Sequence, residues 1–211
     1  MSKMNLPNRL TVLRLCLVPV LLVFGFLPET WINPLLSSFI CAVLFIGTSV
    51  TDMLDGKIAR KRGLVTDFGK FLDPVADKFM VIGALFVLLY KFENLRALMI
   101  VSLIIVVFRE LAVTSMRLVV STGQNIVVAA NMLGKLKTVL QIVAISTVFL
   151  ESVVQHMAKK IAEMITGREL AWRTDIIPLS WITVVLSLVL TVWSGVAYIK
   201  YVPELLFGIE L

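Results

Sequence analysis

The chain has 211 residues, of which 59% are hydrophobic and only 16% are charged. Soluble domains average about 45–50% apolar and about 25% charged residues, so this composition argues against a soluble domain and predicts an all-α integral membrane protein. The formal net charge is +6. Because Lys and Arg lie at the ends of apolar runs, where they set orientation and contact anionic lipids, this charge does not indicate nucleic-acid binding.

Six long apolar runs predict a six-transmembrane-helix bundle that forms a single domain over residues 1–211. Each run is long enough to cross about 30 Å of hydrocarbon at about 1.5 Å per residue. In chain order the predicted spans cover approximately residues 10–27, 35–60, 67–90, 96–120, 132–150 and 176–201.

Two further segments predict helices that lie at the membrane surface. The stretch NLPNR precedes the first run, and its asparagines are good helix caps, so we expect a short N-terminal interfacial helix there. The polar connection after the fifth run has apolar residues at helical spacing, which predicts a short amphipathic helix lying on the membrane. These apolar positions are Met157, Ile161, Met164 and Ile165.

The distribution of basic residues predicts the orientation. More Lys and Arg residues flank the spans on the side of residues 57–62 than on the opposite side. The positive-inside rule therefore predicts that this side, and both termini, face the cytoplasm. The basic connection between the fifth and sixth spans argues in the opposite direction.

The second and third predicted helices carry four aspartates in an otherwise apolar chain. Asp52 and Asp55 are three residues apart, and Asp73 and Asp77 are four apart, so each pair shares a helix face. A short turn at residues 61–66 predicts that the two helices are antiparallel neighbours and that the carboxylates meet. Each intramembrane aspartate costs about 2.5–3.5 kcal/mol, so we expect positive charge among them. Oxygen ligands suit Mg²⁺, Mn²⁺ or Ca²⁺, and a two-metal site is typical of displacement at phosphorus.

Small residues accompany these aspartates. Gly56, Ala59 and Gly69 could simply allow close contact between helices. Beside a carboxylate cluster, however, they also predict a slot for a ligand. Arg60 lies at the edge of this slot, where a guanidinium can hold a phosphate.

The spacing of these residues resembles the signature of the CDP-alcohol phosphatidyltransferase family, position for position. In this chain it is Asp52-x2-Asp55-Gly56-x2-Ala59-Arg60-x8-Gly69-x3-Asp73-x3-Asp77. The resemblance implies an enzyme in which an acceptor hydroxyl attacks the β-phosphorus of a CDP-linked lipid alcohol and CMP leaves. It also implies that the four aspartates hold two divalent cations, Mg²⁺ or Mn²⁺, that Asp77 is the general base, and that the protein is a homodimer. The implied nucleotide-binding residues are Asp52, Gly56, Ala59, Arg60 and Gly69.

A second set of charged residues bears on the acceptor. Arg109 and Arg117 are eight residues apart in the fourth span, and Lys135 and Lys137 begin the fifth. Intramembrane arginines usually face a functional cavity. Arg109 could instead form a structural ion pair with Glu110, and the lysines could be orientation signals or snorkelling residues. Together they predict a cationic pocket for an acceptor that carries phosphate, which favours glycerol 3-phosphate over neutral inositol or zwitterionic serine.

Three short stretches are similar to the glycerophosphate-using branch of this family: FRE, GKLKT and NLPNRLTVLR. This similarity implies transfer of a phosphatidyl group from CDP-diacylglycerol to glycerol 3-phosphate at the cytoplasmic face of a bacterial plasma membrane. It also implies that Thr11 and Arg14 line the same cavity, although Arg14 could be an ion partner within the helix bundle.

Three other functions compete with this one. The same chemistry could use inositol phosphate, or phosphatidylglycerol in cardiolipin synthesis, as the acceptor. A divalent-cation transporter could use the same carboxylates, but their position near one membrane face favours an enzyme. A purely structural membrane scaffold leaves the four acids unexplained.

Overall fold

The computed structural model describes the backbone of residues 6–62, 67–124, 132–167 and 178–207, and the side chains of residues 8–53, 69, 71–117, 132–167 and 178–200. Over these ranges the chain is helical and contains no strand. A short 3-10 helix over Glu93–Leu95 precedes α4. The α-helices are α1 (Leu6–Phe26), α2 (Pro34–Arg62), α3 (Asp67–Lys91), α4 (Arg96–Gln124), α5 (Met132–Thr166) and α6 (Pro178–Phe207).

Five stretches of the described helices are long and apolar enough to cross a membrane. They confirm the prediction of an all-helical integral membrane protein. The five stretches are Asn8–Phe26, Pro34–Met53, Glu93–Arg117, Met132–Thr166 and Pro178–Lys200. Helix α3 is not among them; its first turns carry Asp67, Asp73 and Asp77, and its second half is apolar.

The predicted end of the fifth span, near residue 150, is wrong. Helix α5 continues without interruption for 35 residues and ends at Thr166, so Met157, Ile161, Met164 and Ile165 belong to α5 and not to a separate amphipathic helix. The physical reason is that residues 151–166 contain neither Gly nor Pro. Gly167 then adopts a φ of 65°, the left-handed conformation that commonly terminates a helix. At about 1.5 Å per residue α5 is about 52 Å long, so it extends beyond the hydrocarbon layer.

The N-terminal interfacial helix predicted over NLPNR is not a separate helix in the residues that the structure describes. Residues 1–5 are not described, and Leu6 to Arg9 form the first turn of α1.

The helices form a closed ring in the order α1, α3, α4, α6, α5, α2, and α3 also touches α5 across the ring. Over the described residues, α2 and α3 both contact α1 extensively, whereas contacts between α2 and α3 are few. The two helices nevertheless touch, so the predicted contact between them is present: the Ser49 hydroxyl on α2 donates to Sδ of Met80 on α3 at 3.9 Å. Helix α1 packs against both and carries Arg14, whose side chain bonds to acids on both.

Gly25 is the position of tightest contact between α1 and α3 among the described glycines. A Cβ atom at Gly25 would lie 2.4 Å from Cγ2 of Val87, which is completely buried. Only a residue without a side chain fits here, so Gly25 allows the two helices to approach closely. The core receives side chains from all six helices, and it includes the tilted ring pair of Phe45 and Phe149, whose centroids are 6.2 Å apart.

Candidate active site

Acidic side chains from α2 and α3 meet around the polar face of α1. Asp52 lies on α2, and Asp73 and Asp77 lie one turn apart on α3. The Thr11 hydroxyl donates a hydrogen bond to Oδ1 of Asp73 at 2.6 Å. Nη1 of Arg14 donates to Oδ1 of Asp77 at 2.8 Å and also forms an ion pair with Oδ1 of Asp52. Three of the predicted metal-binding aspartates thus share one cluster with both predicted cavity residues.

Arg14 is the buried member of this cluster. It is only 2% exposed, whereas the carboxylates of Asp52 and Asp77 are 34% and 47% exposed. A single guanidinium nitrogen therefore lies between two carboxylates that otherwise repel each other. The interpretation of Arg14 as an ion partner within the bundle agrees with these contacts, and its partners are the predicted site residues themselves.

The donor chemistry of the cluster fits a hard divalent cation. Carboxylate oxygens of Asp52, Asp73 and Asp77 are the ligand type that Mg²⁺ and Mn²⁺ prefer. Within the described side chains, no three acidic, histidine or cysteine residues converge into a complete ligand set. The side chain of Asp55, the fourth predicted ligand, lies outside them.

The predicted nucleotide slot is described only in part. The backbone of Gly56, Ala59 and Arg60 belongs to the last turns of α2, but their side chains are outside the described set. Gly69 is buried on α3, one turn before Asp73. Asp52, on α2, is thus the member of the slot whose contacts are known.

A cavity of about 450 Å³ opens beside the aspartates, between α3, α4 and α5. Asp73 and Asp77 line one wall, and Arg109, Arg117 and Lys137 line the other. The fold therefore places the acids and three of the four predicted acceptor-binding residues around one volume. Lys135, the fourth, is exposed and does not line this cavity, so its role stays a prediction.

The cationic wall is the part of the cavity lined by Arg109, Arg117 and Lys137, and the Glu110 carboxylate bonds to two of these cations. Glu110 Oε1 accepts a hydrogen bond from Nη1 of Arg109 at 3.0 Å and forms a second ion pair with Nζ of Lys137. The Lys137 side chain is 4% exposed and that of Arg109 is 13% exposed. The Arg109–Glu110 ion pair therefore exists, and both cations still line the cavity.

Helix α6 contacts Arg109 and Arg117 through two polar side chains. Nη2 of Arg109 donates to the Ser194 hydroxyl at 3.3 Å, and Nε of Arg117 donates to the Tyr198 hydroxyl at the same distance. The guanidinium carbon of Arg117 also lies 5.5 Å from the centroid of the Tyr198 ring, within cation–π range. Gly195 leaves space for Arg109, because a Cβ there would lie 3.3 Å from Cγ of the arginine.

Comparison of the sequence with known proteins identifies the family. A sequence model described as CDP-alcohol phosphatidyltransferase matches residues 4–193. The chain belongs to the CDP-alcohol phosphatidyltransferase family. The resemblance expected from the aspartate signature is confirmed, and the protein is an enzyme, a transferase.

Similar curated proteins carry one name, CDP-diacylglycerol–glycerol-3-phosphate 3-phosphatidyltransferase. That of Bacillus subtilis (strain 168) is 44% identical over 155 residues, which cover 70% of this chain and 78% of that protein. That of Rickettsia typhi is 38% identical over 148 residues, 70% of this chain and 78% of the relative. That of Shigella flexneri serotype 5b is 30% identical over 203 residues, 93% of each chain.

Several residues of this phosphatidyltransferase site were not predicted from the sequence. Ser194 and Tyr198 lie just beyond the segment that matches the family model, in a helix whose apolar composition gives no local signal. Lys78 follows Asp77 directly, lines the cavity and donates to the Thr114 hydroxyl at 2.6 Å. Gln141 lies one helical turn after Lys137, so its spacing could have placed it on the same face.

Proposed function

We propose that this phosphatidyltransferase transfers the phosphatidyl group of CDP-diacylglycerol to glycerol 3-phosphate, giving phosphatidylglycerophosphate and CMP. The observation that carries the proposal is the single cavity with Asp73 and Asp77 on one wall and Arg109, Arg117 and Lys137 on the other. A donor diphosphate that needs cations and an acceptor phosphate that needs basic side chains could lie side by side there. The names of the relatives support the same pair of substrates.

We also propose that two divalent cations, Mg²⁺ or Mn²⁺, bind to the aspartates, with Asp52, Asp55, Asp73 and Asp77 as ligands. When bound, such cations draw charge from the diphosphate oxygens and make CMP a better leaving group. Asp52 would contribute to the nucleotide slot together with Gly56, Ala59, Arg60 and Gly69.

In the proposed reaction the chain orients the acceptor and takes its proton. Arg109, Arg117 and Lys137 hold the acceptor phosphate through charge-assisted hydrogen bonds, and Lys135, which is exposed outside the cavity, adds positive charge near them. Asp77 accepts the proton of the attacking hydroxyl. The hydroxyl oxygen forms a bond to the β-phosphorus as the bond from that phosphorus to the CMP oxygen breaks, so no covalent enzyme intermediate is needed.

The proposed setting is a bacterial plasma membrane with the cavity facing the cytoplasm. The chain would be one domain over residues 1–211 with six spans, of which α3 is the sixth besides the five apolar stretches. The NLPNR segment, at the start of α1, would lie at the membrane interface. We further propose a homodimer surrounded by membrane lipids.

The decisive experiment measures CMP release by the purified protein with CDP-diacylglycerol and a panel of acceptors. We expect turnover with glycerol 3-phosphate, and little with inositol phosphate, phosphatidylglycerol, serine or glycerol. A chelator should abolish the activity, and Mg²⁺ or Mn²⁺ should restore it. Preference for another acceptor would contradict the substrate proposal, and metal flux in liposomes without CMP release would indicate a transporter.

Asp77→Asn tests the proposed base. The variant should retain divalent cations, measured by calorimetric titration, and lose most of its turnover. Glu93→Gln is the matched control, because the Glu93 carboxylate is 82% exposed and lies outside the cavity. Near-normal CMP release by Asp77→Asn would remove Asp77 as the base.

Arg109→Ala tests the cationic wall. We expect the KM for glycerol 3-phosphate to rise roughly 10- to 100-fold, the cost of losing a hydrogen bond to a charged group, with little change for CDP-diacylglycerol. Arg96→Ala, at a half-exposed arginine, is the control. An unchanged acceptor KM would show that Arg109 serves only the ion pair with Glu110.

A further inference from the structure

A buried amide lies in the cavity wall, one helical turn beyond Lys137. Gln141 is only 4% exposed and lines the cavity. Its side-chain nitrogen, Nε2, is buried and has no hydrogen-bond partner among the described residues. We infer that Gln141 donates a hydrogen bond to an oxygen of the phosphorylated acceptor; this inference rests on the proposed function and adds a substrate-binding residue to it.

An unpaired buried donor needs a physical explanation. Buried polar side-chain atoms in proteins nearly always have a partner, because desolvating one without compensation is unfavourable. An apolar residue at position 141 would fill the same space without that cost. The amide is therefore best explained by a partner that is not part of the described chain.

The position of Gln141 indicates the chemistry of this partner. Nε of Arg109 is a second buried donor without a partner in the described region, and Arg109 lines the same cavity. Lys137 is four residues before Gln141, so both side chains leave the same face of α5. N–H donors next to two cations favour a ligand rich in anionic oxygens, as a phosphate ester is.

A structural alternative is available in a second, smaller cavity. Gln141 also lines a space of about 20 Å³ between α3, α4, α5 and α6, together with Ser102. This volume is sufficient for one water molecule. If Gln141 only held such a water, its replacement would affect stability and leave acceptor binding unchanged.

Gln141→Met separates the two explanations, since methionine has nearly the same length and no hydrogen-bonding amide. We expect the KM for glycerol 3-phosphate to rise roughly 10- to 100-fold, with the KM for CDP-diacylglycerol within about twofold. Calorimetric titration of glycerol 3-phosphate should show the same loss of affinity without turnover. The Tm in detergent should stay the same or rise, because removing an unpaired buried donor relieves its desolvation cost.

Gln155→Met is the matched control: it is the same change on the same helix, about 21 Å farther along. It should leave both KM values unchanged. An unchanged acceptor KM and affinity in Gln141→Met, with or without a lower Tm, would overturn the inference while the wild-type protein still uses glycerol 3-phosphate. If the wild-type protein neither binds nor uses glycerol 3-phosphate, the proposed function fails first and the inference fails with it.

Discussion

Arg14→Met is the substitution that tests most directly how the aspartate cluster is held together. It removes a buried cation that contacts Asp52 and Asp77 and leaves their carboxylates facing each other. Removing one partner of a buried ion pair costs about 3–5 kcal/mol. Because the Asp52 and Asp77 side chains are 34% and 47% exposed, water can solvate the unpaired carboxylates and reduce this cost. We expect the free energy of unfolding to fall by about 2 kcal/mol, and the Tm of a chain of this size by roughly 4–8 °C.

The effect of divalent cations on the stability of Arg14→Met distinguishes an electrostatic role of Arg14 from simple filling of space. Arg14 and a bound cation would neutralise the same carboxylates, so Mg²⁺ should rescue the variant more than the wild-type protein. Ligand binding at about 100 times the Kd stabilises a fold by about 2.7 kcal/mol, which is large enough to offset the predicted loss. Thermal unfolding in detergent, with chelator and with Mg²⁺, measures both quantities.

Arg96→Met provides the control for this experiment. Arg96 pairs with Glu93 at 3.2 Å, but the two side chains are 50% and 82% exposed, so the substitution should cost less than about 1 kcal/mol under both conditions. An equal loss of Tm for Arg14→Met with chelator and with Mg²⁺ would refute the electrostatic argument. Arg14 would then stabilise the bundle by filling volume alone.

Three further predictions concern helix contacts, the arginine anchors and the cations. Gly25→Ala should lower the free energy of unfolding by about 1–3 kcal/mol, because its methyl group would overlap Val87. Gly47→Ala, where the added methyl meets nothing within 4 Å, should be neutral or stabilising in the same denaturation assay. Tyr198→Phe should raise the KM for glycerol 3-phosphate roughly 3- to 10-fold by releasing the arginine it orients. The same change at Tyr90, which is exposed, should leave this KM unchanged. Equal effects of the two substitutions would contradict the role of Tyr198 in orienting Arg117. Chelator should lower the wild-type Tm, and an unchanged Tm would argue against a resident cation.

The local part of the site was predictable from the sequence. Spacings of three and four residues on a helix determine which side chains share a face, so Asp73 and Asp77 could be paired without a structure. The same argument placed Arg109 and Arg117 together. Both arginines do line the cavity that Asp73 and Asp77 line.

The partners that come from distant helices were not predictable. More than 60 residues separate Arg14 from Asp77, and no periodicity connects positions so far apart. Which helices surround Asp52 and Asp77 depends on the whole bundle, as does the contact of Tyr198 with Arg117. The helix end predicted near residue 150 has a simpler cause: the polar residues that follow indicate a break, although a helix can leave the membrane and continue in water.

Charge in the cavity is divided in a way that suits two anionic substrates. On one side, three described carboxylates are opposed by Arg14, which leaves a net charge of −2 for cations to neutralise (Asp52, Asp73, Asp77). On the other side, four cations are opposed by Glu110, which leaves a net charge of +3 (Lys78, Arg109, Arg117, Lys137). If Arg14 and Glu110 were absent, each wall would repel itself; if there were more such counter-charges, neither wall could attract a ligand. Partial neutralisation by one buried or half-buried partner on each side allows the bundle to fold and still leaves charge that, under the proposed function, would bind a diphosphate through cations and a phosphate directly.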